Sequence, residues 1–311
     1  MAQLNEPLLV VDGLCVHFPS ALGLVRAVED FSLDIGPGQR WGLLGESGCG
    51  KTVAALSILR LLPATAVIEG RIRLGGKDML SLPPRRLRRV RGAEVAMIFE
   101  QPGTSLDPLF PVGAQVAETI LAHEPVGKKA ARQRACELLR RVHIPDPVRC
   151  LGLYPHELSG GMRQRVAIAM ALALSPRLIV ADEPTTALDP TVQGQIIDLL
   201  NEALDQTGAA LLLITHDTDA ARALCAHAAI MYAGQLVEKG DLPMVFEAPR
   251  HPYTRALLTA LGGDRPRPIA GRTPALTDLP SGCRFHPRCP LATSHCRVAA
   301  PALADGVRCG Q

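Results

Sequence analysis

The chain has 311 residues, 47% of them hydrophobic and 20% charged, with a formal net charge of +3; this is the make-up of a globular protein with room for one large domain or two modest ones. So small a net charge excludes an argument from charge alone for a nucleic-acid partner or a strongly attracted membrane surface. The longest apolar run, residues 166–174, is about half of the roughly 18–20 residues that a membrane span needs, and the opening MAQLNEPLLVVDG has no basic segment ahead of an apolar run, so neither a spanning helix nor a secretory signal is expected.

Residues 7–18 and 25–35 are alternating and β-branched and read as strands. Residues 41–45 (WGLLG) form a short apolar run ending in glycine, followed by a helical pattern over 51–62. Residues 68–74 read as a further strand and 95–99 (VAMIF) as a buried one; from about 108 to 174 the pattern is helical, with breaks at 125–127 and 143–147. The runs at 178–182 (LIVAD) and 211–215 (LLLIT) are continuous and apolar, as in strands buried on both faces of a parallel sheet, and a helix over 190–207 bridges them. Buried strands alternating with helices predict an α/β core with a helical insertion. The arginine-rich stretch 85–91 reads as a solvated helix face. Residues 251–311 hold eight Arg, no Lys and three Asp, a net +5, and are dense in Pro, Gly and Cys; they read as a loop-rich extension.

Residues 45–52, GESGCGKT, match the phosphate-loop pattern G-x-x-x-x-G-K-[ST]. In this arrangement backbone N–H groups of Gly45, Ser47, Gly48, Cys49 and Gly50 turn toward phosphate oxygens at the positive end of the next helix. Lys51 is placed to reach the β- and γ-phosphates and the Thr52 hydroxyl to hold Mg²⁺. The strand 178–182 delivers Asp182 to its carboxyl end, where it is expected to hold Mg²⁺, with Glu183 next to it as the base for an attacking water. Ser159 in LSGGMRQR (158–165) suits a helix N-cap, and the glycine pair behind it exposes N–H groups.

LSGGMRQR resembles the signature of ATP-binding cassette (ABC) ATPases. Five motifs of that superfamily stand in order: the phosphate loop, the signature, LIVADEP at 178–184, ALD at 187–189 and His216 in LLLITHD. The resemblance implies a P-loop, RecA-like ABC nucleotide-binding domain over 7–250, with an N-terminal antiparallel β subdomain, a helical subdomain at about 103–171, and a Cys-rich extension over 251–311. It implies that Phe18 stacks on adenine, that His216 hydrogen-bonds the γ-phosphate, and that Leu188 and Asp189 couple two opposing sites. It further implies that Ser159, Gly160, Gly161 and Gln164 complete the ATP site of a partner subunit. One departure stands out: the superfamily's Phe-Gln-[Asp/Glu]-Pro is here Phe99-Glu100-Gln101-Pro102, which puts Glu100 where the Mg²⁺-sensing Gln is expected.

TSLDP (104–108), HPYTRALL (251–258) and the cysteine tail narrow the resemblance to ATPases of oligopeptide and dipeptide importers, a family that also serves nickel and opines, and GMRQRVAIAMAL and TTALDPTVQ are more similar to its D-type ATPase than to the F-type. The implied partners are a second, non-identical ATPase, two permease subunits and, indirectly, a solute-binding protein, without nucleic acid; the implied location is peripheral, on the cytoplasmic face of the cell membrane. A soluble ABC ATPase outside transport is the competing reading. Of nine cysteines, Cys283, Cys289, Cys296 and Cys309 lie in the last 29 residues. Four such thiolates suit a tetrahedral zinc or a 4Fe–4S cluster; the resemblance favours iron–sulfur, and unliganded thiols are a third reading. His286 and His295 read as neighbours of that set rather than ligands.

Overall fold

The computed structural model describes residues 6–21, 23–186, 188–262 and 268–310. Residues 1–5, Ala187 of the ALD tripeptide and 263–267 of the basic tail lie outside the described residues. The chain forms two compact units, one from residues 1–82 and 213–311, the other from 83–212.

The first unit begins with strands β1 (Leu9–Ser20) and β2 (Gly23–Ile35), followed by β3 (Arg40–Leu44), helix α1 (Lys51–Ile58), β4 (Val67–Leu74) and the short β5 (Lys77–Asp78). β1 pairs antiparallel with both β2 and β4, giving a four-stranded sheet in the order β2-β1-β4-β5. Its alternation is visible in the buried Leu9, Val11, Phe31, Leu33, Ile35, Ile72 and Leu74. The helical pattern over 51–62 stops early: Arg60 turns the chain at φ 52°, Leu61 N–H bonds back to Leu56 O at 2.9 Å, and the Arg60 guanidinium donates to Leu82 O at 2.6 Å. This left-handed closure satisfies carbonyls that an ending helix leaves open.

The second unit contains α2 (Pro84–Ala93), β6 (Val95–Ile98), α3 (Pro102–Ser105), α4 (Val112–Leu121), α5 (Lys128–Arg141), α6 (Pro147–Cys150), α7 (Gly160–Leu172), β7 (Leu178–Asp182) and α8 (Pro190–Thr207). The arginine run is a helix as its pattern predicts, with Leu87 and Val90 buried and its arginines mostly exposed. β6 and β7 pair in parallel, both apolar throughout apart from the terminal Asp182. α4 and α5 pack on each other and on α7, whose inner face buries Val166, Ile168, Ala169 and Leu172. α8 begins at Asp189, whose carboxylate accepts Val192 N–H at 3.0 Å, with Pro190 in its first turn.

Strand β8 (Ala210–Ile214) carries the chain back to the first unit, followed by α9 (Thr218–Leu224), β9 (His227–Tyr232), β10 (Gln235–Asp241), α10 (Leu242–Glu247), α11 (Pro252–Leu261), a 3₁₀ turn at His286–Arg288 and α12 (Ser294–Val298). β3 runs parallel to β9, and β9 antiparallel to β10. No helix among the described residues is long and apolar enough to cross a membrane.

The extension is less loose than its composition suggests. Phe285 is 1% exposed, within 5.2–5.3 Å ring-centroid distance of Tyr232 and Tyr253. Arg284 pairs with Glu29 and donates to Ala233 O. Arg308 reaches Asp30 Oδ2 at 2.7 Å and Leu236 O at 2.9 Å. Buried guanidinium groups on carbonyls and carboxylates thus do here what aliphatic side chains do elsewhere.

Candidate active site

In the first unit, Leu44 ends β3 and the loop 45–50 leads straight into α1. Gly50 sits at the N-cap of α1 at φ 105°, and a Cβ there would lie 2.2 Å from Ala27 O, so no other residue is accommodated. On the loop's other side Gly234 N–H bonds Cys49 O at 2.8 Å. The loop is therefore held between β2 and the β9–β10 turn, with Ser47 and Gly48 exposed at its tip.

Lys51 is 5% exposed, and its ammonium donates to Gly45 O at 2.8 Å and Glu46 O at 3.0 Å, with Cys49 Sγ at 3.9 Å. Burial pushes the Cys49 thiol up against the opposing pull of Lys51, so Cys49 stays neutral and supplies no counter-charge. Among the described residues Lys51 meets no carboxylate. Thr52 is exposed on the first turn of α1.

Thr215, just past β8, donates its N–H to Leu43 O at 3.2 Å, so His216 leaves the sheet beside the carboxyl end of β3 and the start of the phosphate loop. His216 is exposed, and Asp217 behind it caps α9 through Asp219 N–H and Ala220 N–H. Phe18 is half-buried on β1, paired in register with Val25.

In the second unit, Asp182 is 3% exposed at the end of β7. Glu183 follows at φ 46°, a left-handed conformation unusual for a glutamate, and Thr186 Oγ1 donates to its Oε2 at 2.9 Å. A strained backbone with an oriented carboxylate is a common mark of a reacting group. Glu100 is exposed just beyond β6, with Gln101 behind it as N-cap of α3.

Ser159 caps α7, accepting Met162 N–H at 3.3 Å, and is exposed; Gly160 and Gly161 are partly exposed. A Cβ on Gly161 would lie 2.6 Å from Val192 Cγ1, and Gly160 lies against Leu188, so the glycine pair lets α7 approach the start of α8 and the Leu188–Asp189 segment. Gln164, one turn in, is 1% exposed, its amide enclosed without a partner among the described residues.

Three residues that reach Glu46 of the phosphate loop have no role in the sequence reading. Tyr253 Oη accepts Glu46 N–H at 2.9 Å, Thr273 Oγ1 donates to Glu46 Oε2 at 3.2 Å, and Arg288 forks onto Glu46 Oε2 and Oε1 at 2.8 and 3.0 Å. Two signals pointed there: the His-Pro-Tyr sequence at 251–253 and the +5 charge of the tail. His251 caps α11 by accepting Tyr253 N–H at Nδ1 (3.0 Å), and burial pulls its pKa down to about 4.

Cys283, Cys289, Cys296 and Cys309 are free and half-buried. Burial pushes Cys283 and Cys289 up, and neighbouring thiols add to it: Cys296 and Cys289 at Cys283, Cys296 and Cys309 at Cys289. Among the described residues, however, no group of three or more His, Cys, Asp or Glu side chains is gathered to hold a metal ion.

Residues 28–186 match the family model "ABC transporter", and residues 237–296 match "Oligopeptide/dipeptide transporter, C-terminal region". The chain is 48% identical to the dipeptide transport ATP-binding protein DppD of Escherichia coli K12, over 96% of this chain and 94% of that protein. It is 45% identical to a probable peptide ABC transporter ATP-binding protein of Sinorhizobium fredii, over 96% and 91%. Among solved structures, a dimeric ATP-binding cassette in a post-hydrolysis state with ADP and Pi aligns with a TM-score of 0.67 at 27% identity, covering 75% of this chain and 98% of that one. With a phosphate loop, a capped diglycine helix and a strand-end carboxylate pair carried on that fold, the chain belongs to the ABC transporter ATP-binding family, in the branch with the oligopeptide/dipeptide C-terminal region, and is an ABC ATPase.

Proposed function

We propose that this chain is the ATP-hydrolysing subunit that drives import of dipeptides, oligopeptides or similarly small solutes, acting peripherally on the cytoplasmic face of the cell membrane. The observation that carries the reading is Lys51, a 5% exposed ammonium with neutral carbonyl partners. A buried cation without a counter-charge is costly, and a polyphosphate at the N-terminus of α1 supplies one. Peptide as cargo rests on the relatives, which are peptide and dipeptide transport proteins by name.

In this reading the amides of Gly45, Ser47, Gly48, Cys49 and Gly50 and the Lys51 ammonium bind the phosphates, while Phe18 stacks on adenine. Thr52, Asp182 and Glu100 are the residues that would hold Mg²⁺, which would supply charge neutralisation on the phosphates. Glu183, turned by Thr186, takes a proton from the attacking water, and His216 hydrogen-bonds the γ-phosphate. Ser159, Gly160, Gly161 and, from inside its helix, Gln164 serve the ATP of a second, non-identical ATPase, and Leu188 and Asp189 couple the two sites. The nucleotide-binding domain spans 7–250 with a helical subdomain at about 103–171 that meets two permease subunits, which receive solute from a binding protein; residues 251–311 are the extension.

Cys283, Cys289, Cys296 and Cys309, four free thiols in the extension, are the donors for the iron–sulfur cluster that the family resemblance implies, and because no described residues are gathered as a ligand set, binding would have to draw them together. Such a cluster would cross-link a segment with little aliphatic core. Anaerobically purified chain should contain iron and sulfide that Cys283→Ser removes; zinc, or neither, would contradict this. For the transport reading, vesicles holding the chain with its permeases and second ATPase should accumulate labelled dipeptide only with MgATP on the ATPase side. Accumulation without ATP, or undiminished by Lys51→Ala, would overturn it.

A further inference from the structure

Glu46, the second residue of the phosphate loop, has every polar group engaged, and three of its partners belong to the C-terminal segment. Its N–H goes to Tyr253 Oη, its carbonyl accepts from Lys51 Nζ at 3.0 Å and Cys49 N–H at 3.3 Å, and its carboxylate takes Thr273 Oγ1 and both forks of Arg288. Arg288 is itself fixed: its side chain is 4% exposed, its Nε donates to Ala270 O at 2.9 Å and its Nη2 to Ile269 O at 3.2 Å. Its guanidinium also lies 5.7 Å from the Tyr232 ring centroid. A planar fork held this way is a rigid ruler for the carboxylate it grips.

Resting on the reading of residues 45–52 as the ATP phosphate loop, we propose that Arg288 and Tyr253 are positioning residues for nucleotide binding, acting through Glu46 to set the loop's shape and to neutralise a carboxylate next to the phosphates. Two physical effects act together. Tyr253 orients the peptide at Glu46, and with it the turn that aims the following amides inward. Arg288 cancels a negative charge that would otherwise stand within a few residues of a bound polyanion, in a partly buried setting where screening is weak. The tail thereby reports its folding to the ATP site. ATP affinity is the quantity that changes; the hydrolytic step, which uses other residues, does not.

The test is a titration of full-length protein with a fluorescent MgATP analogue, with KM and kcat measured in the assembled transporter. Arg288→Ala should weaken binding ~10-fold, equivalent to about 1.4 kcal/mol, and raise KM with kcat within about twofold. Adding Glu46→Gln to Arg288→Ala should recover most of the affinity, because the uncancelled charge is gone. A tail with a merely structural role would show no such rescue. Tyr253→Phe should weaken binding ~3-fold, and Arg288→Lys should lie between wild type and Arg288→Ala; these two carry the test if Arg288→Ala fails to fold. Arg288→Ala within twofold of wild type, or a Glu46→Gln that adds to the loss, overturns the proposal. Lys51→Ala is the control: if it leaves affinity intact, the phosphate-loop reading itself fails, whereas its loss of binding beside an unaffected Arg288→Ala sinks the positioning role alone.

Discussion

The phosphate loop with its flanking strands and the C-terminal extension share one compact unit but are held by different forces. Around the loop, Leu43, Leu44, Val28 and Ile230 are fully buried aliphatics, and the fit is so close that Gly50 has no room for a methyl group. The extension has one buried aromatic knot, at Phe285, and otherwise depends on Arg284, Arg288 and Arg308, each seated on a carboxylate of the preceding chain. Apolar contact has no charge to titrate or to screen, while charged hydrogen bonds in partial burial respond to both pH and ionic strength. The nucleotide region should therefore fail by losing chemistry, and the extension by losing stability or affinity.

The sharpest break between them is expected at Glu183. Glu183→Gln should cut hydrolysis by on the order of 10²–10⁴ while leaving the thermal midpoint and MgATP binding near wild type. A variant that hydrolyses ATP normally would remove Glu183 from the reaction. The extension should answer to pH instead. His251 is 1% exposed and titrates in the folded protein at about 4, below the ordinary 6.5. Its folded pKa is depressed, so the associated stability is complete above about pH 6.5 and lost as pH falls toward 4, by up to about 3 kcal/mol. Melting curves across that window should show the loss, and His251→Asn, which keeps a capping acceptor without titrating, should flatten it. An unchanged slope would point to other groups.

Smaller still, Arg308→Ala removes the contacts to Leu236 O and Asp30 and should lower stability by about 2 kcal/mol, read from urea unfolding, with no change in kcat. A drop in kcat at constant stability would mean that the two regions are not separable in this way. The smallest effect is expected at Glu100, exposed beyond β6: Glu100→Gln should preserve or raise turnover, within about threefold, since on the proposed Mg²⁺-sensing role it would remove a charge near the attacking water. A large loss would give Glu100 a role of its own.

The same contrast explains what could be read from the amino-acid order. Strands 178–182 and 211–215 are apolar runs, and the structure has them at Leu178–Asp182 and Ala210–Ile214; the helix over 190–207 matches because Asp189 and Pro190 mark its start. Periodicity and caps are local, so they are legible. The helix expected over 51–62 was too long because Arg60, with no glycine to announce it, adopts the left-handed turn. β9 and β10 went unread, because β9 is short with two alanines and β10 ends in charged residues and a glycine. Motif spacing singles out Lys51, Asp182, Glu183 and Ser159 as candidates. It could not give Thr186, whose hydroxyl matters only once the chain turns at Glu183, nor Arg288, which lies 242 residues from the carboxylate it grips. An arginine in a Pro- and Cys-rich tail looks like solvated charge until its partner is known.

The central claim is that Lys51 and its loop hold the phosphates of ATP, and it is tested most directly by calorimetric titration of MgATP into full-length wild type and Lys51→Ala. The account predicts saturable one-site binding by the wild type and none by the variant at the same concentrations, with both proteins equally folded. Equal affinity in the two, or no binding by a folded wild type, would contradict it.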